Sequence, residues 1–307
     1  MKSLPSVSVV VPTYNRSGFI ERAFGSLLGQ DYPKDKFEIV VIDDGSNDRT
    51  LEILERFRKQ HPFFRYFSQA NKGPATARNR GIREAQGEII MLMDDDCIAA
   101  RTWARELVSA YKDERVGGVA GRIEFVSLDN NIANQFAAHA NGAGQPLDAD
   151  GEIDFFVTAN ASFRRDVIDQ VGGFDETFPH AAHEDVDLSH RVKRAGWKLV
   201  YHDGAVVQHY HNHNIKGDLK KGYQVGNAEA LYQLKHGHDL RLWASVLQCL
   251  MSFGRIPLSS ARYLTEGLGI KRSLAFPVIH RLHKLMVTSG KVRGYYAYKS
   301  SIKASRA

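Results

Sequence analysis

The chain has 307 residues, of which 43% are hydrophobic and 25% charged, a balance that argues against disordered and fibrous classes. Its two cysteines, Cys97 and Cys249, lie far apart, which argues against a disulfide framework or a zinc finger and favours a reducing compartment. The formal charge of +6 is uneven, because only four acidic residues follow Lys216. Such a basic segment suits nucleic acid, an anionic membrane surface or a phosphorylated substrate.

The N-terminus does not have the pattern of a secretory signal peptide, because Lys2 is followed directly by a strand-like run. We also find no window of about 20 residues that is apolar enough for a transmembrane helix. The sequence therefore predicts neither a signal peptide nor a membrane span.

Strand and helix patterns alternate along the N-terminal part of the chain. The β-branched run VSVVV at 7–11 predicts a strand buried on both faces, and EIVVIDD at 38–44 and EIIMLM at 88–93 predict two more. Apolar residues at helical spacing predict helices over 17–28, 50–59 and within 71–87, while 65–67 predicts a short strand. This alternation predicts a doubly wound α/β sheet, whose ligands bind beyond the carboxyl ends of the strands.

The rest of the chain gives a mixed pattern. Strands are predicted over 119–125, 155–163 and 198–209, and helices over 165–171 and 184–195. The segment 130–144, rich in Asn, Ala and Gly, predicts a helix followed by a flexible loop. The last part of the chain is predicted to be mainly helical.

Three consecutive carboxylates, Asp94, Asp95 and Asp96, directly follow the predicted strand at 88–93. Their mutual repulsion favours a divalent cation or backbone amide donors nearby. In an extended segment Asp94 and Asp96 project to the same side, so one can reach a ribose and the other a metal. The alternative is a solvated acidic turn before a helix, and the triplet alone does not separate the two.

A second acidic pair, Asp43 and Asp44, ends the predicted strand at 38–44. Carboxylates at a strand end can bind the base and ribose of a nucleotide, but the following residues also suit a turn. Asp48 and Thr50 are interpreted as capping residues rather than ligands.

The segment HEDVDLSHR places Glu184, Asp185 and Asp187 at the start of a predicted helix. Their negative charges complement the helix dipole, which explains them without any chemistry. The functional alternative is that Asp185 is a general base that accepts the proton of a hydroxyl group.

Two further groups of basic side chains are candidates. The alternating histidines His209, His211 and His213 would face one side of a strand, and one of them is a plausible metal ligand. Arg78, on the helix within 71–87, is the preferred arginine for holding a diphosphate, although such arginines are also found simply solvated.

Taken in order, six segments resemble the inverting glycosyltransferase family 2, of the GT-A fold. They are VSVVVPTYNR, EIVVIDDGSNDRT, NKGPATARNRGI, GEIIMLMDDDC, TANASFRRDVIDQVGGFDETF and HEDVDLSHRVKRAGWKLVYHDGAVVQH, spread over residues 5–211. The resemblance implies a catalytic domain at 1–214, with a nucleotide-binding half at 1–98 and an acceptor-binding half at 99–214. Residues 215–307 would form a helical basic extension.

The resemblance also implies roles for single residues. Asp185 would be the catalytic base, with Glu184 beside it, while Asp96 and His209 would bind Mn²⁺ or Mg²⁺, with His211 as the substitute for His209. Asp94 would face the ribose and Asp44 the base edge. The other residues implied to bind the nucleotide sugar are Pro12, Thr13, Tyr14, Asn15, Asp43, Arg78, Asp95 and Asn160.

The activity implied by the resemblance is transfer of a sugar, with a UDP-sugar as the expected donor, to a glycan or lipid-linked acceptor in cell-surface polysaccharide assembly. A cytoplasmic location is expected. The basic extension is expected to form a helical cap on the catalytic domain or a homo-oligomer contact, and the alternative is peripheral contact with the inner membrane. We expect no nucleic-acid partner. Two other functions stay open: a non-catalytic glycan-binding or partner-binding relative, and a sugar-nucleotide nucleotidyltransferase.

Overall fold

The computed structural model describes residues 3–127, 131, 151–178, 180–211, 214–237, 242–253 and 270–305. The described residues form two compact units. The first holds residues 3–126, 151–177 and 184–210, and the second holds the C-terminal helices with 178 and 180–183. Apart from Asn131, the helix and loop predicted over 130–144 lie outside the described residues.

The first unit begins with the alternating elements that the sequence predicts. They are β1 (Val7–Thr13), α1 (Ile20–Leu28), β2 (Phe37–Asp43), α2 (Thr50–Gln60), β3 (Phe64–Ser68), α3 (Pro74–Glu84) and β4 (Ile89–Leu92). The unit continues with β5 (Cys97–Ala99), α4 (Trp103–Ser109), β6 (Val116–Ser127), β7 (Ala161–Arg164), α5 (Arg165–Val171), α6 (Glu184–Arg194) and β8 (Lys198–His211).

These strands form one sheet in the order β3-β2-β1-β4-β7-β6-β8-β5. β1 pairs in parallel with β2 and β4, and β2 pairs in parallel with β3. Beyond β4 the pairing becomes antiparallel between β4 and β7, between β6 and β7, and between β5 and β8. The predicted α/β class is confirmed, and the carboxyl ends of β1, β2 and β4 meet at one edge of the sheet.

Both faces of the parallel strands are buried, as the run of β-branched residues predicts. On one face Val9 and Val11 pack in a core with Phe24, and on the other Val10 packs in a core with Ile82. Gly81 lets α3 approach β1 closely, because a Cβ there would overlap the Cγ1 of Val10. This close approach sets the distance between the axis of α3 and the sheet.

The strand predicted over 155–163 is wrong over most of its length. Only Ala161–Arg164 is extended, and a 3₁₀ turn at Thr158–Asn160 precedes it. The apolar pattern reports burial rather than extension, since the rings of Phe156 and Phe163 pack edge to face at 4.5 Å inside the core. The three-residue strand β5 was not predicted at all, because its sequence is too short for any period to show.

The second unit contains α7 (Ile215–Lys235), α8 (Leu242–Phe253) and α9 (Ile270–Ser305). Glycines let α7 and α9 pack backbone to backbone, since a Cβ at Gly226 would overlap the carbonyl oxygen of Val287. An ion pair between Glu229 and Lys291, 2.6 Å long, also joins the two helices. Among the described residues, no helix combines the length and the apolar character that crossing a bilayer requires.

Candidate active site

The loop after β2 is held by the carboxylate of Asp44. Its Oδ1 accepts from the side-chain amide of Gln69 at 2.8 Å and from the backbone of Lys72 at 2.9 Å, and its Oδ2 accepts from the backbone of Gly73 at 2.8 Å. Asp44 therefore fixes the loop that leads into α3. Asp43 is fully buried and accepts from the backbone of Ser46 at 3.2 Å. Contact of either carboxylate with a nucleotide stays a prediction.

The end of β1 and the loop after it carry four of the residues expected at the nucleotide, Pro12, Thr13, Tyr14 and Asn15. Tyr14 is 47% exposed, whereas Thr13 is 3% exposed. Asn15 adopts a positive φ of 52°, and its side-chain carbonyl accepts from the backbone of Asn47 at 2.9 Å. An exposed tyrosine ring at this edge offers a flat surface on which a base can stack.

Asp48 and Thr50 have structural roles, but neither is the N-cap residue of α2, which is Arg49. Asp48 accepts from the backbone of Thr50 at 3.0 Å and from the backbone of Ser17 at 3.0 Å. The hydroxyl of Thr50 accepts from the backbone of Arg16, also at 3.0 Å. Together these bonds fasten the loop after β1 to the start of α2.

Arg16 pairs with two members of the acidic triplet, an arrangement that the sequence analysis missed. Its Nε lies 3.2 Å from Asp95 and its Nη2 lies 3.0 Å from Asp96. Burial raises the pKa of Asp95 to about 7, against the lowering effect of Arg16. The signal that was available is the position of Arg16 at the end of the matching segment VSVVVPTYNR.

His209 lies on the other side of Asp96. Its Nε2 is 2.9 Å from Oδ1 of Asp96. Burial lowers the pKa of His209, but the hydrogen bond and the charge of Asp96 outweigh burial and raise the pKa above its ordinary value. The register of β5 against β8 explains the meeting, because Cys97 pairs directly with His209.

Asp96, Cys97 and His209 each offer a ligand atom, and these atoms lie within 4.8 Å of one another. A carboxylate and an imidazole suit Mn²⁺ or Mg²⁺ well. Burial raises the pKa of the Cys97 thiol well above its ordinary value, and sulfur ligands suit softer metals than Mn²⁺ or Mg²⁺. Asp96 and His209 therefore fit the expected metal, with open positions left for donor oxygens. The side chain of His211 and all of His213 lie outside the described residues.

Arg78 joins the triplet to the start of α6. The guanidinium is 3% exposed, and it donates to Asp94 at 2.8 Å and to Glu184 at 2.9 Å. The second oxygen of Glu184, Oε2, is buried without a hydrogen-bond partner. Arg78 is thus paired with protein carboxylates in this structure, and its contact with a diphosphate stays a prediction.

Asp185 follows Glu184 in the first turn of α6. Burial raises the pKa of Asp185 to about 7, and the negative charge of Glu184 adds to the rise. The backbone of Val186 donates to Asp185 at 2.9 Å and works in the opposite direction. A carboxylate with a pKa close to neutral pH is well suited to accept a proton from a hydroxyl group.

Asn160 is buried at the end of the 3₁₀ turn that precedes β7. Its carbonyl accepts from the indole of Trp103 at 2.8 Å, and its amide donates to the backbone of Arg122 at 2.9 Å and of Ala205 at 2.8 Å. These bonds tie α4, β6 and β8 together. The expected contact of Asn160 with the donor sugar stays a prediction.

Comparison with known proteins decides the family. The family model described as "Glycosyl transferase family 2" matches residues 8–172. The chain belongs to glycosyltransferase family 2. It is 30% identical over 271 residues to the glycosyltransferase AglE of Haloferax volcanii, a match that covers 87% of this chain and 86% of the relative. It is 29% identical over 217 residues to the probable glycosyltransferase YdaM of Bacillus subtilis, covering 67% of this chain but about half of that relative, 51%.

Solved structures agree with the family on the fold. The mannosyltransferase PcManGT from Pyrobaculum calidifontis, solved in complex with GDP-Man and Mn²⁺, superposes with a TM-score of 0.68. The match covers 96% of this chain and 88% of that one at 20% sequence identity. The expected GT-A fold is therefore confirmed for this member of the family.

Proposed function

We propose that the protein is an inverting, metal-dependent glycosyltransferase that uses a UDP-sugar and a glycan or lipid-linked acceptor in cell-surface polysaccharide assembly. The observation that carries the proposal is the pair of contacts by which Arg78 joins Asp94 to Glu184. Asp94 lies two residues before Asp96 and pairs with Arg78. Arg78 also pairs with Glu184, the residue that precedes Asp185. A candidate metal site and a candidate base are thereby held in one buried network.

In the proposed reaction Asp185 removes the proton of the acceptor hydroxyl while the hydroxyl oxygen attacks the anomeric carbon of the donor. The bond from that carbon to the diphosphate breaks as the new glycosidic bond forms, so a single displacement inverts the configuration. Burial and then the charge of Glu184 raise the pKa of Asp185, and Arg78 holds Glu184 in place.

Asp96 and His209 are the residues that would hold Mn²⁺ or Mg²⁺. When bound, such an ion supplies positive charge that stabilises the leaving diphosphate. The choice of a nucleoside diphosphate sugar is supported by the similarity to PcManGT, whose structure contains GDP-Man and Mn²⁺. The choice of uridine rests on the family, in which UDP-sugars are the commonest donors.

The proposal is tested by a thermal-shift panel with UDP, GDP, dTDP and CMP, each with and without Mn²⁺. A ligand specific for the folded state adds about 2.7 kcal/mol of stability at 100 times its Kd, which such a panel detects. We expect UDP to raise the melting temperature only with Mn²⁺, and Asp96→Ala to abolish the shift. If GDP is the one nucleotide that gives a shift, the donor is a GDP-sugar rather than a UDP-sugar. If no nucleotide gives a shift, the non-catalytic alternative is favoured.

We further propose that α9 touches the cytoplasmic face of an anionic membrane. Its exposed apolar side chains Val278, Leu285 and Tyr296 are 42%, 41% and 60% exposed. Their spacings of seven and eleven residues are close to whole helical turns, so they share one side of the helix. Taken over its 36 residues α9 is not amphipathic. The proposal therefore rests on this local stripe and on Arg281 and Arg293 beside it, whose charges suit an anionic surface.

A further inference from the structure

The backbone around Arg16 is anchored by hydrogen bonds, and its side chain is held by ion pairs with Asp95 and Asp96. The backbone amides of Asn15, Arg16 and Ser17 donate to Ser46, Thr50 and Asp48 at 2.8–3.0 Å. The side chain of Arg16 nevertheless remains 47% exposed. A long side chain on a fixed backbone can change its partner without any movement of the loop.

The guanidinium of Arg16 neutralises a crowded group of acids. Asp95 is 7% exposed, and a buried carboxylate without a counter-charge would be costly. Arg16 reaches Asp95 with its Nε and Asp96 with its Nη2. Arg16 therefore supplies positive charge to Asp95 and Asp96, as Arg78 does to Asp94.

Asp96 is also the carboxylate that the metal would use. Its Oδ2 accepts from Arg16 at 3.0 Å, while Oδ1 faces His209 at 2.9 Å. A divalent ion bound by Asp96 and His209 would lie next to the guanidinium, and like charges at such a distance repel strongly. The two cations therefore compete for the same carboxylate.

We propose that Arg16 is an internal counter-ion that a divalent cation displaces from Asp96. The proposal rests on the metal site proposed above. It makes Arg16 a positioning residue: it keeps the acidic triplet in its binding geometry before the metal arrives, at the cost of weaker binding of the metal alone.

The first test measures binding of Mn²⁺ alone, without nucleotide, from the electron paramagnetic resonance signal of the free ion. We expect Arg16→Gln to lower the Kd for Mn²⁺ about fivefold, the effect of losing an ion pair worth up to about 1 kcal/mol. Arg16→Lys, which keeps the charge, should stay close to the wild type. Arg49→Gln is the matched control, because Arg49 lies at the start of α2, is 82% exposed and forms a surface ion pair with Glu52 at 3.3 Å.

Asp96→Asn separates the two ways in which the proposal can fail. Suppose that Asp96→Asn abolishes Mn²⁺ binding but Arg16→Gln leaves the Kd for Mn²⁺ unchanged or higher. The proposed displacement of Arg16 by the cation is then wrong, and the proposed metal site stands. If the wild type binds no Mn²⁺ either alone or with UDP, the metal site and the displacement are both wrong.

A second test does not depend on how well Arg16→Gln folds. The Nε–H nuclear magnetic resonance signal of Arg16 in the wild type is assigned by its disappearance in Arg16→Lys. Titration with diamagnetic Mg²⁺ should move this signal, because the hydrogen bond from Nε to Asp95 and the neighbouring bond to Asp96 are disturbed. If the signal does not shift while Mg²⁺ saturates the protein, the proposed displacement of Arg16 from Asp96 is wrong.

Discussion

Asp185 lies where two opposite effects on a carboxylate meet. Burial and Glu184 raise its pKa, while the backbone of Val186 and the charge of Arg78 lower it. We expect Asp185→Asn to reduce kcat by about 10²–10⁴-fold, because the variant cannot accept the proton. Isothermal titration with UDP and Mn²⁺ should show unchanged affinity. Asp31→Asn, at an aspartate 52% exposed in a surface pair with Arg105, serves as the control.

Equal losses of UDP affinity and of kcat in Asp185→Asn would show that this carboxylate binds the donor instead of acting as the base.

The pKa of Asp185 also predicts how the rate depends on pH. The base must be ionised, so the rate should rise as pH increases through about 7 and then level off. In Glu184→Gln the negative charge that raises this pKa is lost, and we expect the midpoint of the rise to move to lower pH. Steady-state rates measured at saturating donor across the pH range check both statements. A midpoint that stays fixed or moves upward in Glu184→Gln contradicts the coupling.

At the level of elements, the position of Arg78 depends on how closely α3 packs on β1. Gly81→Ala adds a methyl group that overlaps Val10, so α3 must move away from the sheet. We expect a loss of about 1–3 kcal/mol in the free energy of unfolding. Gly25→Ala in α1 is the matched control, because a Cβ there meets nothing within 4 Å. It should raise stability by about 0.5–1 kcal/mol.

Urea unfolding of both variants measures the two changes. Equal stabilities of Gly81→Ala and Gly25→Ala would mean that α3 tolerates the methyl group without moving.

The strands and helices near the site were predictable because their signals are local. β1 and β2 have continuous β-branched runs, and α1 has apolar residues at helical spacing. The contacts that assemble the site are not local: Arg16 meets Asp96 across 80 residues and Arg78 meets Glu184 across 106. A pattern along the chain carries no signal for such ion pairs. For the same reason the sequence indicated the acids at the strand ends correctly, but not the arginines that neutralise them.

At the level of the whole molecule, the uneven charge predicts behaviour at a surface. We expect the protein to float with vesicles of anionic lipid and to be released by salt, because the attraction of Arg281 and Arg293 is screened. Leu285→Glu should abolish flotation, since it places a negative charge within the apolar stripe of α9. Met251→Glu is the control: Met251 is 58% exposed on α8, outside the stripe. Flotation that survives Leu285→Glu would exclude this face of α9.

The order of the strands gives the acidic triplet a further property. β7, β6 and β8 lie between β4 and β5 in the sheet, yet only residues 93–96 join β4 to β5 along the chain. Four spacings across a flat sheet would measure about 19 Å, whereas the five steps from Leu92 to Cys97 extend to roughly 17–18 Å at most. The sheet must therefore curl. The segment that carries the negative charges is the short connection between β4 and β5, two strands that are not neighbours in the sheet. Curvature of the sheet thus brings β5 back to the edge where β4 ends, while the pairing of β5 with β8 sets the distance from Asp96 to His209.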